Sequence, residues 1–137
     1  MQLYPNLTFD GRCEAAFKFY EECLHGRTAF MMTYEDTPMD LQTPSDWRKK
    51  ISHATFAHAD FTLYGSDAAP GRYQKPQGFA LQFNLSDPVE AERKFTALCE
   101  GGSVNMPFGK TFFSNGFGMC VDKFGIPWMV NCPAEGM

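Results

Sequence analysis

The chain has 137 residues, of which 44% are hydrophobic and 20% are charged, with a net charge of −4. This composition is typical of one globular domain, or of two small halves that share a core, and excludes a disordered chain. The acidic balance argues against a nucleic-acid-binding surface. No apolar run reaches the roughly 20 residues that a membrane helix needs, and the N-terminus lacks the pattern of a signal peptide. We therefore expect a cytoplasmic protein.

Five cysteines are present, and no two of them form a CxxC pair. An odd number in a chain of this kind indicates free thiols rather than disulfides, and the spacing argues against a structural zinc site. No residue near them in the sequence resembles the base that activates a catalytic thiol. Four of the five lie in apolar helical or strand-like surroundings, where we expect them to behave as small buried hydrophobic residues. The five are Cys13, Cys23, Cys99, Cys120 and Cys132.

The first half begins with a strand-like run, LYPNLTF, followed by an amphipathic helix. Its apolar face is predicted from helical spacing: Ala16, Phe17, Tyr20 and Leu24. Asp10 is the predicted N-terminal cap, and Gly26 suits the left-handed position at the C-terminus. Strand TAFMMTY and a hairpin that turns at Ala59-Asp60 follow. The insertion between them, EDTPMDLQTPSDWRKK, contains a predicted short helix that carries Trp47.

The second half has the same order of elements. Strand GFALQFNL precedes a helix that starts with Asp87 as cap and Pro88 at the first helical position. The predicted apolar face is Ala91, Phe95 and Leu98, and the helix ends at a glycine pair. Strand SVNMPF and a hairpin that turns at 123–125 complete this half.

The two halves form an internal repeat. Residues 14–30 align with residues 90–106 at an offset of 76, with six identities in seventeen positions. The identical pairs are Glu14/Glu90, Ala15/Ala91, Lys18/Lys94, Phe19/Phe95, Cys23/Cys99 and Gly26/Gly102. We predict an α+β fold of two β-α-β-β-β modules, residues 1–67 and 76–134, joined by a Pro/Gly-rich connector. The modules would form a curved, barrel-like mixed sheet around a central cavity, with the helices outside.

Three segments of the chain resemble the PhnB-like branch of the vicinal oxygen chelate superfamily, which includes glyoxalase I, extradiol dioxygenases and bleomycin resistance proteins. They are YPNLTFDGRCEAAFKFYEECLHG, ISHATF with LYGSD, and FGMCVDKFGIPWMVN, and the resemblance covers nearly the whole chain. It implies a small-molecule ligand in the inner cavity and a homodimer. Members of this branch often carry the name 3-demethylubiquinone-9 3-methyltransferase. The sequence lacks the glycine-rich strand-to-helix turn that holds S-adenosylmethionine, so we do not expect methyl transfer.

The resemblance also indicates where a divalent metal would bind. The superfamily's ligand positions fall near Asn6, Tyr64, Gln82 and Met129. Superfamily enzymes place His, Glu or Gln there, whereas neutral amides are weak ligands and a thioether suits softer ions. We therefore assign no metal ligand and no cofactor, keep a divalent metal as an alternative, and treat these four residues as candidate ligand-binding residues.

His53 is the candidate catalytic residue, because imidazole exchanges protons near neutral pH. The alternative is a structural histidine satisfied within a sheet. Phe113 and Trp128 are candidates to line a pocket for a planar or apolar ligand, with core packing as the alternative for each. Asp67 and Asp122 are predicted to lie at matching ends of strands in the two halves. Turn formation and catalysis explain a carboxylate at such a position equally well.

Three functions fit these observations. The first is binding of an unidentified small molecule, with the reaction unassigned. The second is a metal-dependent enzyme of glyoxalase or dioxygenase type. The metal content of the purified protein would distinguish it from the other two. The third is a drug-sequestering protein, which binds its ligand and leaves it chemically unaltered.

Overall fold

The computed structural model describes residues 1–38 and 43–135, and the chain divides into two compact units, Met1–Gln74 and Lys75–Met137. In the described ranges, each unit has one α-helix and one open four-stranded mixed sheet. This order confirms the predicted α+β class with two β-α-β-β-β modules. A cavity shared by the two modules stays a prediction. Within the described ranges, no helix is both long and apolar enough to span a membrane.

The described residues of the first unit form four strands and one α-helix, with the sheet order β1-β4-β3-β2. Strand β1 runs parallel to β4, and the other neighbours are antiparallel. The bounds are β1 (Asn6–Phe9), α1 (Cys13–Leu24), β2 (Arg27–Thr33), β3 (Ile51–Ala57) and β4 (Thr62–Asp67). The insertion after β2 contains 3₁₀ turns at Tyr34–Asp36 and Ser45–Trp47, the second of which is the predicted short helix. Its residues 39–42 lie outside the described part of the chain.

The second unit repeats this topology with the sheet order β5-β8-β7-β6. Strand β5 is parallel to β8, and both other pairings are antiparallel. The bounds are β5 (Leu81–Asn84), α2 (Pro88–Cys99), β6 (Ser103–Gly109), β7 (Ser114–Val121) and β8 (Pro127–Pro133). Both predicted hairpin turns lie where the sequence placed them, between β3 and β4 and between β7 and β8.

Each helix packs on one face of its own sheet. The buried face of α1 includes all four predicted residues, and that of α2 is Ala91, Phe95 and Leu98, as predicted. A side-chain carbon on Gly65 of β4 would lie 2.7 Å from the Phe17 ring, and one on Gly118 of β7 would lie 2.7 Å from the Phe95 ring. These two glycines therefore mark the helix-covered faces. On the opposite face, which we call the uncovered face, the described residues of the same unit place no helix.

The start of α1 differs from the prediction that Asp10 caps it. The residue before the helix is Arg12, with which Asp10 forms an ion pair at 2.9 Å. The capping carboxylate comes instead from Asp67, whose Oδ1 accepts hydrogen bonds from the backbone N–H of Gly11 at 3.0 Å and of Cys13 at 2.9 Å. In α2 the predicted cap is confirmed, because Asp87 accepts from the N–H of Val89 at 3.0 Å.

The role predicted for Gly26 is also wrong. His25 takes the left-handed conformation after α1, with φ of 62°. A side-chain carbon on Gly26 would lie 2.5 Å from the Phe56 ring and 2.8 Å from the carbonyl oxygen of Ala57. A side-chain carbon on Gly102 would lie even closer to the carbonyl oxygen of Val121. The glycine that recurs in the two modules therefore allows the segment after each helix to pass closely over the third strand of its own module, where any side chain would clash.

Candidate functional site

In the first unit, two of the predicted site residues lie side by side on the uncovered face of the sheet. Asn6 and Tyr64 are paired on the parallel strands β1 and β4, and Tyr64 is paired with Thr55 of β3. Since Gly65 points to the helix and side chains alternate along a strand, Tyr64 points away from it. Asn6 is exposed and Tyr64 is half-buried.

His53 lies on the same face, next to Tyr64. A register shift where β3 meets the end of β2 lies directly beside it. Its ring centre is 5.1 Å from that of Tyr64 and 6.1 Å from that of Phe30, and the ring centre of Tyr4 is 5.1 Å from that of Tyr64. We call Tyr4, Phe30, His53 and Tyr64 the aromatic group.

The imidazole of His53 differs from that of a satisfied structural histidine. Within the described residues it makes ring contacts, but neither ring nitrogen has a hydrogen-bond partner. Neither nitrogen belongs to the fully buried polar atoms that lack a hydrogen-bond partner, so both nitrogens are accessible to solvent. A half-buried imidazole with open nitrogens, held between aromatic rings, is able to exchange a hydrogen bond or a proton with a ligand.

In the second unit, Gln82 and Met129 are paired on β5 and β8, as Asn6 and Tyr64 are in the first. Two further amides join them on the uncovered face. The Oδ1 atom of Asn84 accepts from Gln82 Nε2 at 3.2 Å and from Asn131 Nδ2 at 3.2 Å. We call Gln82, Asn84 and Asn131 the amide cluster. The sequence interpretation missed Asn84 and Asn131, although alternation along LQFN and PWMVN places them on the face of Gln82 and Met129.

Apolar side chains continue these rows across the second sheet. Met129 is paired with Met119 of β7, which is paired with Met106 of β6. In the next row Asn131 is paired with Phe117, whose ring contacts that of Phe113 at 5.2 Å. The uncovered face thus has a polar side at β5 and β8, and a flexible apolar side at β7 and β6. Phe113 lies beside the apolar side.

Trp128 lies on the other face of the sheet. It alternates with Met129 along β8 and is 3% exposed. Its Nε1 donates to Asp122 Oδ2 at 2.8 Å, and Asp122 Oδ1 accepts from the N–H groups of Phe124 and Ile126. Trp128 is therefore a core residue that ties β8 to the preceding turn, and we do not include it in the candidate site.

Asp67 and Asp122 do not occupy matching places in the two units. Asp67 is the last residue of β4, whereas Asp122 follows β7. Both are buried, and both accept hydrogen bonds from backbone N–H groups. One of these groups is the N–H of Ile51, which lies 2.9 Å from Asp67 Oδ2. Their surroundings indicate a structural role for both carboxylates.

The cysteines are free thiols, as predicted. Burial raises the pKa of the Cys13 thiol far above its ordinary value, and the nearby carboxylates of Asp67 and Glu14 raise it further. Burial also raises the pKa of Cys99. Both thiols are therefore neutral near pH 7, and neither has the properties of an activated nucleophile.

The four positions at which the superfamily would hold a metal offer two amides, a phenol and a thioether. The described residues include no group of three or more His, Cys, Asp or Glu side chains placed to hold an ion. The divalent transition metals of such enzymes prefer imidazole and carboxylate ligands. Of Asn6, Tyr64, Gln82 and Met129, Gln82 alone is of a type that the superfamily uses, so the set as a whole does not fit the superfamily's metal.

Residues 1–131 match the family described as 3-demethylubiquinone-9 3-methyltransferase. The chain belongs to this family. It is a PhnB-like member of the glyoxalase, bleomycin resistance and dioxygenase superfamily, as the sequence resemblance indicated. Protein YjdN of Escherichia coli K12 is 32% identical over 139 residues, which cover 96% of this chain and 95% of YjdN. The crystal structure of PA1353 from Pseudomonas aeruginosa is 42% identical, has a TM-score of 0.88, and covers 97% of this chain and 98% of that one.

More distant structures share the fold of this PhnB-like protein. A Bacillus cereus PhnB protein is 22% identical with a TM-score of 0.80, and the match covers 96% of this chain and 98% of that one. A glyoxylase/bleomycin resistance protein/dioxygenase domain from Frankia is 13% identical with a TM-score of 0.68, and it covers 98% of both chains. These likenesses concern the fold, whereas the chemistry depends on the side chains of the uncovered faces.

Proposed function

We propose that this PhnB-like protein binds a flat small molecule on the uncovered face of its first sheet, and that His53 exchanges a hydrogen bond or a proton with it. The observation that carries the proposal is the imidazole of His53, whose ring contacts Tyr64 and Phe30 while both nitrogens lack a partner among the described residues. Aromatic rings around it favour a flat ligand.

The residues around His53 fit this role. Phe30 is 50% exposed, although burying a phenylalanine ring is strongly favourable. Asn6 and Thr55 flank Tyr64 in the same row and add polar groups at the edge of the aromatic surface. A ligand that covers Phe30 and Tyr64 would bury apolar area and place a hydroxyl or carbonyl group next to the imidazole.

The test uses 2-naphthol, a flat fluorescent molecule with a single hydroxyl group. We expect saturable binding that Phe30→Ala and His53→Ala each weaken at least tenfold. Phe79→Ala is the matched control, because Phe79 is 51% exposed but lies outside the aromatic group. Thermal unfolding of each variant checks that the fold is intact. Equal affinities in all three variants, or no saturable binding, would overturn the proposal.

The same assay separates the other two functions. Recovery of 2-naphthol unchanged after long incubation favours sequestration, and its conversion indicates a reaction. For the metal-dependent alternative, thermal unfolding of metal-free protein is repeated with nickel, zinc, manganese and iron(II) salts. A ligand at 100 times its Kd stabilises the folded state by about 2.7 kcal/mol. We expect that none of these salts raises the Tm of the unaltered protein by an amount that is lost in His53→Ala or Gln82→Ala. The reason is that the side chains at the superfamily's metal positions, taken together, do not suit these ions.

A further inference from the structure

The amide cluster of the second unit contains an unusual unsatisfied atom. Asn131 Oδ1 is buried and has no hydrogen-bond partner in the described part of the chain. Buried polar atoms are nearly always hydrogen-bonded, so an exception calls for an explanation. Asn131 and Asn84 are neighbours on parallel strands, joined by a single hydrogen bond from Asn131 Nδ2 to Asn84 Oδ1.

That single bond leaves two complementary groups without a partner. Asn84 Oδ1 already accepts from both Gln82 and Asn131, whereas the Nδ2 group of Asn84 donates to no described residue. The pair therefore offers one acceptor, Asn131 Oδ1, and one donor, Asn84 Nδ2. An N–H group next to a carbonyl group within one molecule would satisfy both.

The surroundings limit the ligand further. The rows of the uncovered face that contain the cluster have no charged side chain: they consist of the amides, Met129, Met119, Met106, Phe117 and Gly109. A charged ligand would lose hydration without gaining a partner there. Methionine side chains adapt to flat rings, and their sulfur atoms make favourable contacts with ring edges.

We propose that the amide cluster is a binding site for a neutral, flat lactam or carboxamide. Its N–H group donates to Asn131 Oδ1, its carbonyl oxygen accepts from Asn84 Nδ2, and its ring lies against Met129 and Met119. A rotation of the Asn131 side chain, which breaks only the 3.2 Å bond to Asn84, brings the buried oxygen to the ligand. In place of a metal, this part of the fold recognises its ligand through neutral hydrogen bonds.

The probes are oxindole, a flat lactam, and 1-methyloxindole, which has the same ring and carbonyl group but no N–H. Binding is measured by calorimetry and by saturation-transfer NMR. We expect saturable binding of oxindole that is at least tenfold tighter than that of 1-methyloxindole. Asn131→Leu and Asn84→Leu should each remove this preference, and Gln77→Leu, which removes an exposed amide from the connector, should keep it.

Equal binding of the two probes, no binding of oxindole, or a preference that survives in Asn131→Leu would overturn this proposal. The comparison of the two probes on the unaltered protein does not depend on whether a variant folds. The result is also separate from the first-unit proposal, because His53→Ala should weaken 2-naphthol while leaving the preference for oxindole unchanged.

Discussion

The carboxylate of Asp67 and the N–H of Cys13 are joined by a buried hydrogen bond of 2.9 Å between residues 54 positions apart. The same side chain also accepts from Gly11 and from Ile51, so one carboxylate links the end of β4 to the start of α1 and the start of β3. The helix of the first unit is thus capped by a strand rather than by its own preceding loop.

Replacing this carboxylate should destabilise the protein severely. Asp67→Ala leaves three backbone N–H groups without their acceptor, and hydrogen bonds to charged groups contribute about 1.5 to 3 kcal/mol each. We expect a loss of about 3 kcal/mol or more in urea unfolding. The matched control is Asp10→Ala, which removes only an exposed ion pair and should change stability by less than about 1 kcal/mol. Similar losses in the two variants would contradict this account.

The fold was predictable from the sequence because its signals are local. Helix faces follow from a spacing of three to four residues, as in Phe95 and Leu98, and the cap of α2 lies directly before its first residue. The cap of α1 was missed because Asp67 is remote in sequence. The amide cluster was missed for the same reason, since Asn131 and Asn84 are 47 residues apart. Alternation assigns each of them to a face, but only the register of β5 on β8 makes them neighbours.

The repeat was recognised from identities, yet its helices were aligned one residue out of register. Ala15 is exposed, whereas its aligned partner Ala91 is buried. The buried positions coincide at an offset of 75, with Ala16 matching Ala91 and Tyr20 matching Phe95. The offset of 76 holds again at Gly102, because one more residue separates α2 from β6 than separates α1 from β2.

The close approach of Gly26 and Gly102 to the third strands predicts that replacing a glycine with alanine destabilises the protein at these positions and not at an open one. Gly26→Ala and Gly102→Ala place a methyl group against backbone carbonyl oxygens, and such overpacking costs about 1 to 3 kcal/mol or more. Gly109→Ala is the control, since its added carbon would have no neighbour closer than 4.0 Å. We expect a lower Tm for the first two variants and little change for the third. If Gly109→Ala lowers Tm as much as the others, the steric explanation fails.

The placement of Trp128 predicts that its replacement affects stability and not binding. Trp128→Phe removes the buried hydrogen bond from the indole N–H to Asp122 Oδ2, and hydrogen bonds to charged groups contribute about 1.5 to 3 kcal/mol. We expect a lower urea midpoint, with unchanged affinity for both 2-naphthol and oxindole. Met129→Ala, next to it in the sequence but on the uncovered face, is the comparison variant and should weaken oxindole. A loss of affinity in Trp128→Phe would return this tryptophan to the ligand site.

The raised pKa of the Cys13 thiol predicts a loss of stability at alkaline pH. Burial, with Asp67 and Glu14 adding to it, holds the folded thiol neutral, while the unfolded thiol ionises near its ordinary pKa of 9.0. The stabilisation is therefore complete below pH 9 and decreases as the pH rises above it, because only the unfolded state then releases the proton. For this one group the expected decrease between pH 9 and 10 is about 1 kcal/mol.

Urea unfolding at pH 8, 9 and 10 measures this decrease, and comparison with Cys13→Ala isolates the contribution of the thiol. Tyr34, whose pKa is raised from 10.0 by burial and by Asp67, contributes mainly above this range. Cys99→Ala is the matched control: its thiol is only partly buried, and the hydrogen bond from Cys120 opposes the rise in its pKa. The pH dependence should become shallower in Cys13→Ala and remain nearly unchanged in Cys99→Ala. Equal slopes in the unaltered protein and Cys13→Ala would mean that the folded thiol ionises normally, and that Cys13 is open to solvent.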